Sequence, residues 1–328
     1  MISARTAYRT LFGSNTLLSW LNSLRNVKQT PDRAGLCISH DSISLVQANP
    51  ASHTDAFSLT HSLQAATNSP EQALELLKNW VSELGLQHAG VILTLEQEAF
   101  ELIQMDKPDV PDADLKAATH WKLQEYLEYP VTEAISDIFE VPEGRHGHSN
   151  QLFVAVARRS LLEKRIKLIR DAGLKPTYID IAQLAMRNLI EGRLQTSDTV
   201  GIVHFHPNDS RLYICRNSQF YITRVINLGL NSLITDDEMQ QLQLVDQFSL
   251  EVQRTMDYYD SHFGQSPVRQ LHFVDRSGQL NWLPDAVTNM LGIKASRVDM
   301  PQNTNQQNLV QPDQAPLAWG GLIGRLNR

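Results

Sequence analysis

The sequence predicts an α/β protein made of two similar lobes with a small inserted subdomain. Three observations predict it. A run of short strands joined by turns begins at Gly35, and the same pattern returns about 165 residues later. Each run is followed by helices whose apolar residues recur three and four apart. Between the runs lies a segment of different pattern, one helix and two strands, beginning at Pro108.

The first run begins with GLCISHDSISLVQ (35–47). Leu36 and Ile38 alternate with Cys37 and Ser39, and Ile43 and Leu45 alternate with Ser42 and Ser44. Two half-buried strands are expected around a polar turn at His40-Asp41. A third strand is expected around Phe57-Ser58-Leu59. In the helix that follows, Ser69 caps, Pro70 takes the first position, and Ala73, Leu76, Leu77, Trp80 and Leu84 form the apolar stripe. Gly85 ends it. VILTL (91–95) reads as a buried strand and AFELIQM (99–105) as another.

Residues 108–157 read as an αββ insert. The helix ADLKAATHWKLQEYLEY stops at Pro130, and the strands ISDIFEV and LFVAVA flank the loop PEGRHGHSN. In RSLLEKRIKLIRDAG (159–173), Ser160 and Glu163 read as a capping box, Leu162, Ile166 and Ile169 line one face, and Gly173 closes the helix. DIAQLAMRNLIEG (180–192) reads as a further helix. The second run comprises VGIVHFH, DSRLYICRN and QFYITRVINL, with turns at Pro207-Asn208 and Asn217-Ser218. A long helix carries Val245, Phe248, Val252, Met256, Tyr259 and Phe263. LHFV, a helix over 284–291, a polar linker PQNTNQQNLVQPDQAP and the small-residue segment LAWGGLIG complete the chain.

Composition bounds the function. The chain has 328 residues, 42% of them hydrophobic, enough to bury a sizeable core. A net charge of −7 argues against a general nucleic-acid binder, which needs a basic face to displace counterions. No run of 18 apolar residues occurs, so no membrane-spanning helix is expected, and the start MISARTAYRTLFGSN lacks the apolar core of a secretory signal. Cys37 and Cys215 each fall in an expected strand and read as buried, reduced thiols. Leu17, Trp20, Leu21 and Leu24 lie at helical spacing near Arg5, Arg9, Arg25 and Lys28. An ordinary packing helix outweighs a membrane-surface or partner helix there.

Several stretches in order and spacing resemble the PilM family of type IV pilus assembly proteins, in its mannose-sensitive haemagglutinin (MSHA) branch. They are GLCISHDSISLVQ, THWKLQEYLEYPVTEAISDIFEV, AVARRSLLEKRIKLIRDAGLKPTYIDIAQLAMRNL, EVQRTMDYYDSHFGQSPVRQLHF and LAWGGLIGRLNR. The resemblance implies an actin-like fold with duplicated ribonuclease-H-like lobes. The expected division is an N-terminal extension (1–34), a first lobe (35–107 and 158–195), the αββ insert (108–157) and a second lobe (196–328). It also implies a cytoplasmic protein held at the inner membrane through its partners. Those would be the cytoplasmic tail of a PilN-like membrane protein and, beyond it, the pilus assembly ATPase. Relatives bind ATP between the lobes.

The residues that would hold ATP depart from the family pattern. Its first phosphate loop reads Asp-x-Gly-x-x-x-x-Lys; here Cys37, Ser39 and Ser44 stand at the three positions. A thiol is no ligand for Mg²⁺, a β-carbon obstructs the phosphate, and the neutralising ammonium is gone. Asp41, in the turn, is one candidate substitute carboxylate. The second loop reads Asp-x-Gly-x-x-x-Thr and aligns with His204, His206 and Ser210. In the glycine-rich turn that receives adenosine, VDRSGQL keeps only Gly278. A degenerate cleft without cofactor is therefore expected, and an ATP-binding switch is the alternative.

Other groups have ordinary explanations. His204 and His206 share a strand face, but two ligands do not make a metal site, and a polar cleft rim is expected. His146 and His148 read as a solvated turn, and Glu251 with Arg254 as a surface ion pair. No nucleophile elbow or hydrolytic triad context occurs, so no catalytic residue is assigned. Trp121, Tyr126, Tyr129 and Pro130 in the insert are the candidate partner-binding residues, weighed equally against packing on the insert's own sheet. The resulting expectation is a non-enzymatic scaffold. A related cytoplasmic domain of type II secretion is the structurally close third reading; such domains usually continue into a transmembrane helix.

Overall fold

The computed structural model describes residues 32–49, 58–142, 144, 150–191, 198–275, 277–298 and 315–326. The expected helix at 17–24, the His146/His148 turn and residues 301–314 of the linker read over 301–316 lie outside these residues, while Ala315 and Pro316 belong to the C-terminal helix.

β1 (Asp32–Ile38) and β2 (Ser42–Asn49) form the expected antiparallel hairpin, with Cys37 opposite Ser44. β3 (Ser58–Ala66) extends it. α1 (Pro70–Glu83) begins as predicted, because the Ser69 hydroxyl accepts the Gln72 amide at 3.2 Å and Pro70 opens the helix. Gly85 follows at φ 62°, the left-handed conformation that lets the chain leave the helix. β4 (Gly90–Leu95) then pairs parallel with β1.

β5 (Glu101–Asp106), α2 (Asp112–Lys122), β6 (Ala134–Glu140) and β7 (Gln151–Arg158) build the insert. Its sheet order is β5-β7-β6. β5 thus pairs within the insert, so the sequence border at Pro108 cuts through one sheet. The helix read as continuous to Pro130 ends at Lys122 and gives way to a 3-10 turn. That turn drives Leu123 and Leu127 into a small separate core with Met105, Val131, Ala134, Val154 and Val156.

α3 (Arg159–Asp171) corrects a second reading. β7 runs straight into it, so Arg158 occupies the cap position without a side-chain hydrogen bond, and Ser160 lies inside the first turn. No capping box forms. Leu162, Ile166 and Ile169 do line the buried face, and Gly173 closes the helix at φ 89°. β8 (Lys175–Ile181) is a strand not read from the sequence. Pro176 argues against a central strand, but β8 is the edge of a sheet ordered β3-β2-β1-β4-β8, where proline is tolerated.

α4 (Ala182–Glu191) runs between the lobes, touching β4 and β8 on one side and β9 to β11 on the other. β9 (Thr199–Phe205), β10 (Ser210–Arg216) and β11 (Gln219–Ile226) repeat the opening meander. The β10–β11 turn uses Asn217 and Ser218, both at positive φ, as a tight hairpin requires. After α5 (Leu230–Leu233), the long α6 (Glu238–Phe263) packs Phe248 against Phe205 and Phe273. β12 (Val268–Val274), α7 (Leu283–Leu291) and the short β13 (Lys294–Arg297) complete a second sheet ordered β11-β10-β9-β12-β13. The two sheets share one topology, as the repeated pattern predicts.

α8 (Ala315–Leu326) ends the chain and crosses back onto the first lobe, although it follows the second in sequence. Its small residues explain the route. A β-carbon on Gly320 would lie 2.0 Å from the Ala185 carbonyl oxygen, and one on Gly321 would lie 2.1 Å from Thr94 Oγ1. Gly35 in β1 meets the Ala318 carbonyl oxygen in the same way. At Gly35 and Gly320 backbone therefore touches backbone, and helices cover both faces of the first sheet. β1 and β2 are buried throughout their described residues rather than half-buried.

Candidate functional site

The two hairpins and the chain leaving β4 converge between the lobes. At the first hairpin, Cys37 is fully buried. Burial pushes its thiol well above the usual range, and the nearby Glu96 adds to this. The turn satisfies its own polar groups. Ser39 Oγ donates to Asp41 Oδ1 at 2.8 Å, shares a hydrogen bond with Ser42 Oγ at 2.7 Å and accepts the Ser42 amide at 3.0 Å. Asp41, the candidate substitute carboxylate, is thus engaged by Ser39. Ser44 is buried beside Cys37, and its Oγ has no hydrogen-bond partner among the described residues.

At the second hairpin, His204 and His206 share a face of β9 with ring centroids 4.4 Å apart. His204 is 1% exposed and His206 is half-buried. Burial, aided by the Arg211 charge, holds His206 down to about 3, so it is neutral near pH 7. Neighbouring elements cover this face, which periodicity along β9 cannot reveal. Ser210 Oγ donates to the Leu228 carbonyl at 2.5 Å rather than facing open cleft.

What joins the lobes was missed in the sequence. Glu96, just past β4, receives both terminal nitrogens of Arg165 from α3, at 2.5 and 3.1 Å. Burial raises the Glu96 carboxyl despite Arg165. Two residues on, Glu98 reaches the other lobe and accepts Arg211 Nη2 at 2.6 Å. Asp209 lies 3.6 Å from the same guanidinium. Partial burial opposes ionisation of Glu98, but the Arg211 hydrogen bond and charge overcome it and lower its carboxyl. The one available signal was position: charged residues at the carboxyl end of a parallel strand mark where α/β sheets place polar sites.

The third element lies alongside. Val274 pairs with His204, so the turn after β12 starts next to the second hairpin. Asp275 Oδ1 accepts the Ser277 amide and hydroxyl at 2.8 and 2.6 Å, and Gly278 sits at φ 70°. The guanidinium groups of Arg165 and Arg211 are thus both already matched to carboxylates.

The insert presents a different surface. Trp121 is 66% exposed and Tyr126 45% exposed. Tyr129 is half-buried against the insert core, with the Arg158 guanidinium 4.3 Å above its ring. Pro130 is exposed. Glu251 and Arg254 form the expected i,i+3 surface pair at 2.6 Å. Cys37 and Cys215 are both buried.

Duplicated sheets of one order, an interlobe helix and three converging turns define an actin-like α/β fold with an inserted subdomain. No protein-family model matches the sequence, and no curated protein matches it. Among solved structures it is similar to a PilM–PilN type IV pilus biogenesis complex, with TM-score 0.66 and 18% identity over 92% of this chain and 100% of that one. Weaker likenesses include the cytoplasmic domain of EpsL, an inner membrane component of the Vibrio cholerae type II secretion system, at TM-score 0.48 and 9% identity over 90% of this chain and 93% of that one. The ethanolamine utilisation protein EutJ from Carboxydothermus hydrogenoformans gives TM-score 0.47 and 11% identity over 94% and 96% of the two chains.

Proposed function

We propose that this protein is a non-enzymatic cytoplasmic adaptor of a type IV pilus assembly machine, of the MshI kind found in MSHA pilus systems. It sits at the inner membrane by binding the cytoplasmic tail of a PilN-like protein, and through that contact meets the assembly ATPase. Trp121, Tyr126, Tyr129 and Pro130 of the insert are the partner-binding residues. The observation that carries the reading is the Glu98–Arg211 pair. It joins the lobes through the protein's own charges where actin-like relatives hold a nucleotide. The ordered stretches that resemble the PilM family, and the likeness to the PilM–PilN complex, support the partner.

The test is a thermal-shift titration with Mg-ATP, Mg-ADP and metal-free ATP. A ligand that binds only the folded state raises the melting temperature as its concentration rises. The adaptor reading expects no shift at millimolar nucleotide. A saturable, Mg-dependent shift would replace it with the ATP-binding switch.

A further inference from the structure

We infer that the outward face of α2 and its following turn is a docking surface for a cationic polypeptide segment carrying an apolar anchor. The inference rests on the insert being the partner-binding element and adds the chemistry of what it binds.

The aromatic face comes first. Leu115, Thr119 and Leu123 recur every four residues and are buried against the insert sheet. His120 shares a hydrogen bond with Ser136 Oγ at 2.9 Å, and Gln124 Oε1 accepts the Val131 amide at 3.1 Å. These contacts fix the rotation of the helix and throw Trp121 outward. Among the described residues, Trp121 and Tyr126 are the large aromatic side chains left exposed. Exposed aromatic groups on a fixed frame are the usual anchors of interfaces, since little side-chain freedom is lost when they are covered.

Charge then selects the occupant. From residue 101 to 140 the chain has ten acidic residues and three lysines, a balance of −7 equal to that of the whole protein. Asp114 and Trp121 lie seven residues apart on α2 and are exposed, and Glu125 is exposed in the turn that follows. Glu128 is exposed close by. Such a field repels an anionic lipid surface or a nucleic acid and attracts arginine and lysine. A guanidinium stacked on Trp121 and paired to Asp114 or Glu125 would use both features.

The experiment uses the full chain and two fluorescein-labelled synthetic dodecapeptides of arginine and leucine, the second with every arginine replaced by glutamate. Fluorescence anisotropy should show binding of the first alone, weakening as salt rises. Trp121→Ala should weaken it about tenfold or more, and Asp114→Lys with Glu125→Lys should abolish it. Asp246→Lys, on exposed α6, should leave it unchanged. Equal binding of both peptides, or binding indifferent to Asp114→Lys with Glu125→Lys, overturns the inference. Capture of a PilN-like tail that is lost in Trp121→Ala but kept in the charge reversal would overturn the charge inference alone and leave the adaptor reading standing. Melting temperatures of the variants, all at exposed positions, confirm that the fold is retained.

Discussion

Removing the Glu98 charge should loosen the two lobes. Glu98→Gln keeps the size of the side chain and takes away the anion facing Arg211. The Arg211 side chain is 9% exposed, while Glu98 is 60% exposed. Water therefore screens one end of the pair, and the cost falls below the 3–5 kcal/mol of a fully buried broken pair. Asp209, 3.6 Å away, retains part of the attraction. The expected loss is about 1–1.5 kcal/mol, or roughly 2–5 °C in melting temperature. The assay is calorimetry of Glu98→Gln, Arg211→Met and the double variant. A direct interaction makes the double variant lose less than the sum of the singles. The low carboxyl of Glu98 adds a pH signature: its contribution is present above the ordinary glutamate range and disappears as pH falls through the lowered value. Unchanged melting in Glu98→Gln, with additive singles, would refute a stabilising tie between the lobes through this pair.

Arg165→Ala should cost more, about 3–5 kcal/mol, because it strands the buried Glu96 carboxylate; a fall in melting temperature well beyond that of Glu98→Gln checks this. His206 and His272 are held by burial at about 3 and about 4. Each takes up a proton on unfolding between its folded value and about 6.5, so stability should drop as pH falls from that point, by up to about 1.4 kcal/mol per pH unit for each histidine. Urea melts across this range should show the slope, and His206→Gln with His272→Gln should flatten it. Gly320→Val should destabilise by about 1–3 kcal/mol or more, since its β-carbon meets the backbone of α4; earlier proteolysis of the C-terminal helix would report it.

The sequence by itself determined the elements that repeat locally. Ser69 and Pro70 start α1, Gly173 ends α3, and the alternation in 35–47 and 199–226 writes both hairpins, because strand and helix periodicity depend only on near neighbours. Only the tertiary structure decided which distant charges meet. Arg165 lies 69 residues from Glu96, and Arg211 lies 113 from Glu98, so no local pattern links them. The same holds for the burial of His204 and for the return of α8 to the first lobe, where glycine tolerates backbone contact between elements far apart in the chain. Trp121 shows the limit from the other side. Its helical position was readable, but its exposure follows from how Leu115, Thr119, His120 and Leu123 seat the helix on the sheet. Packing between distant segments sets which face of an element meets water, and that face decides what the protein can bind.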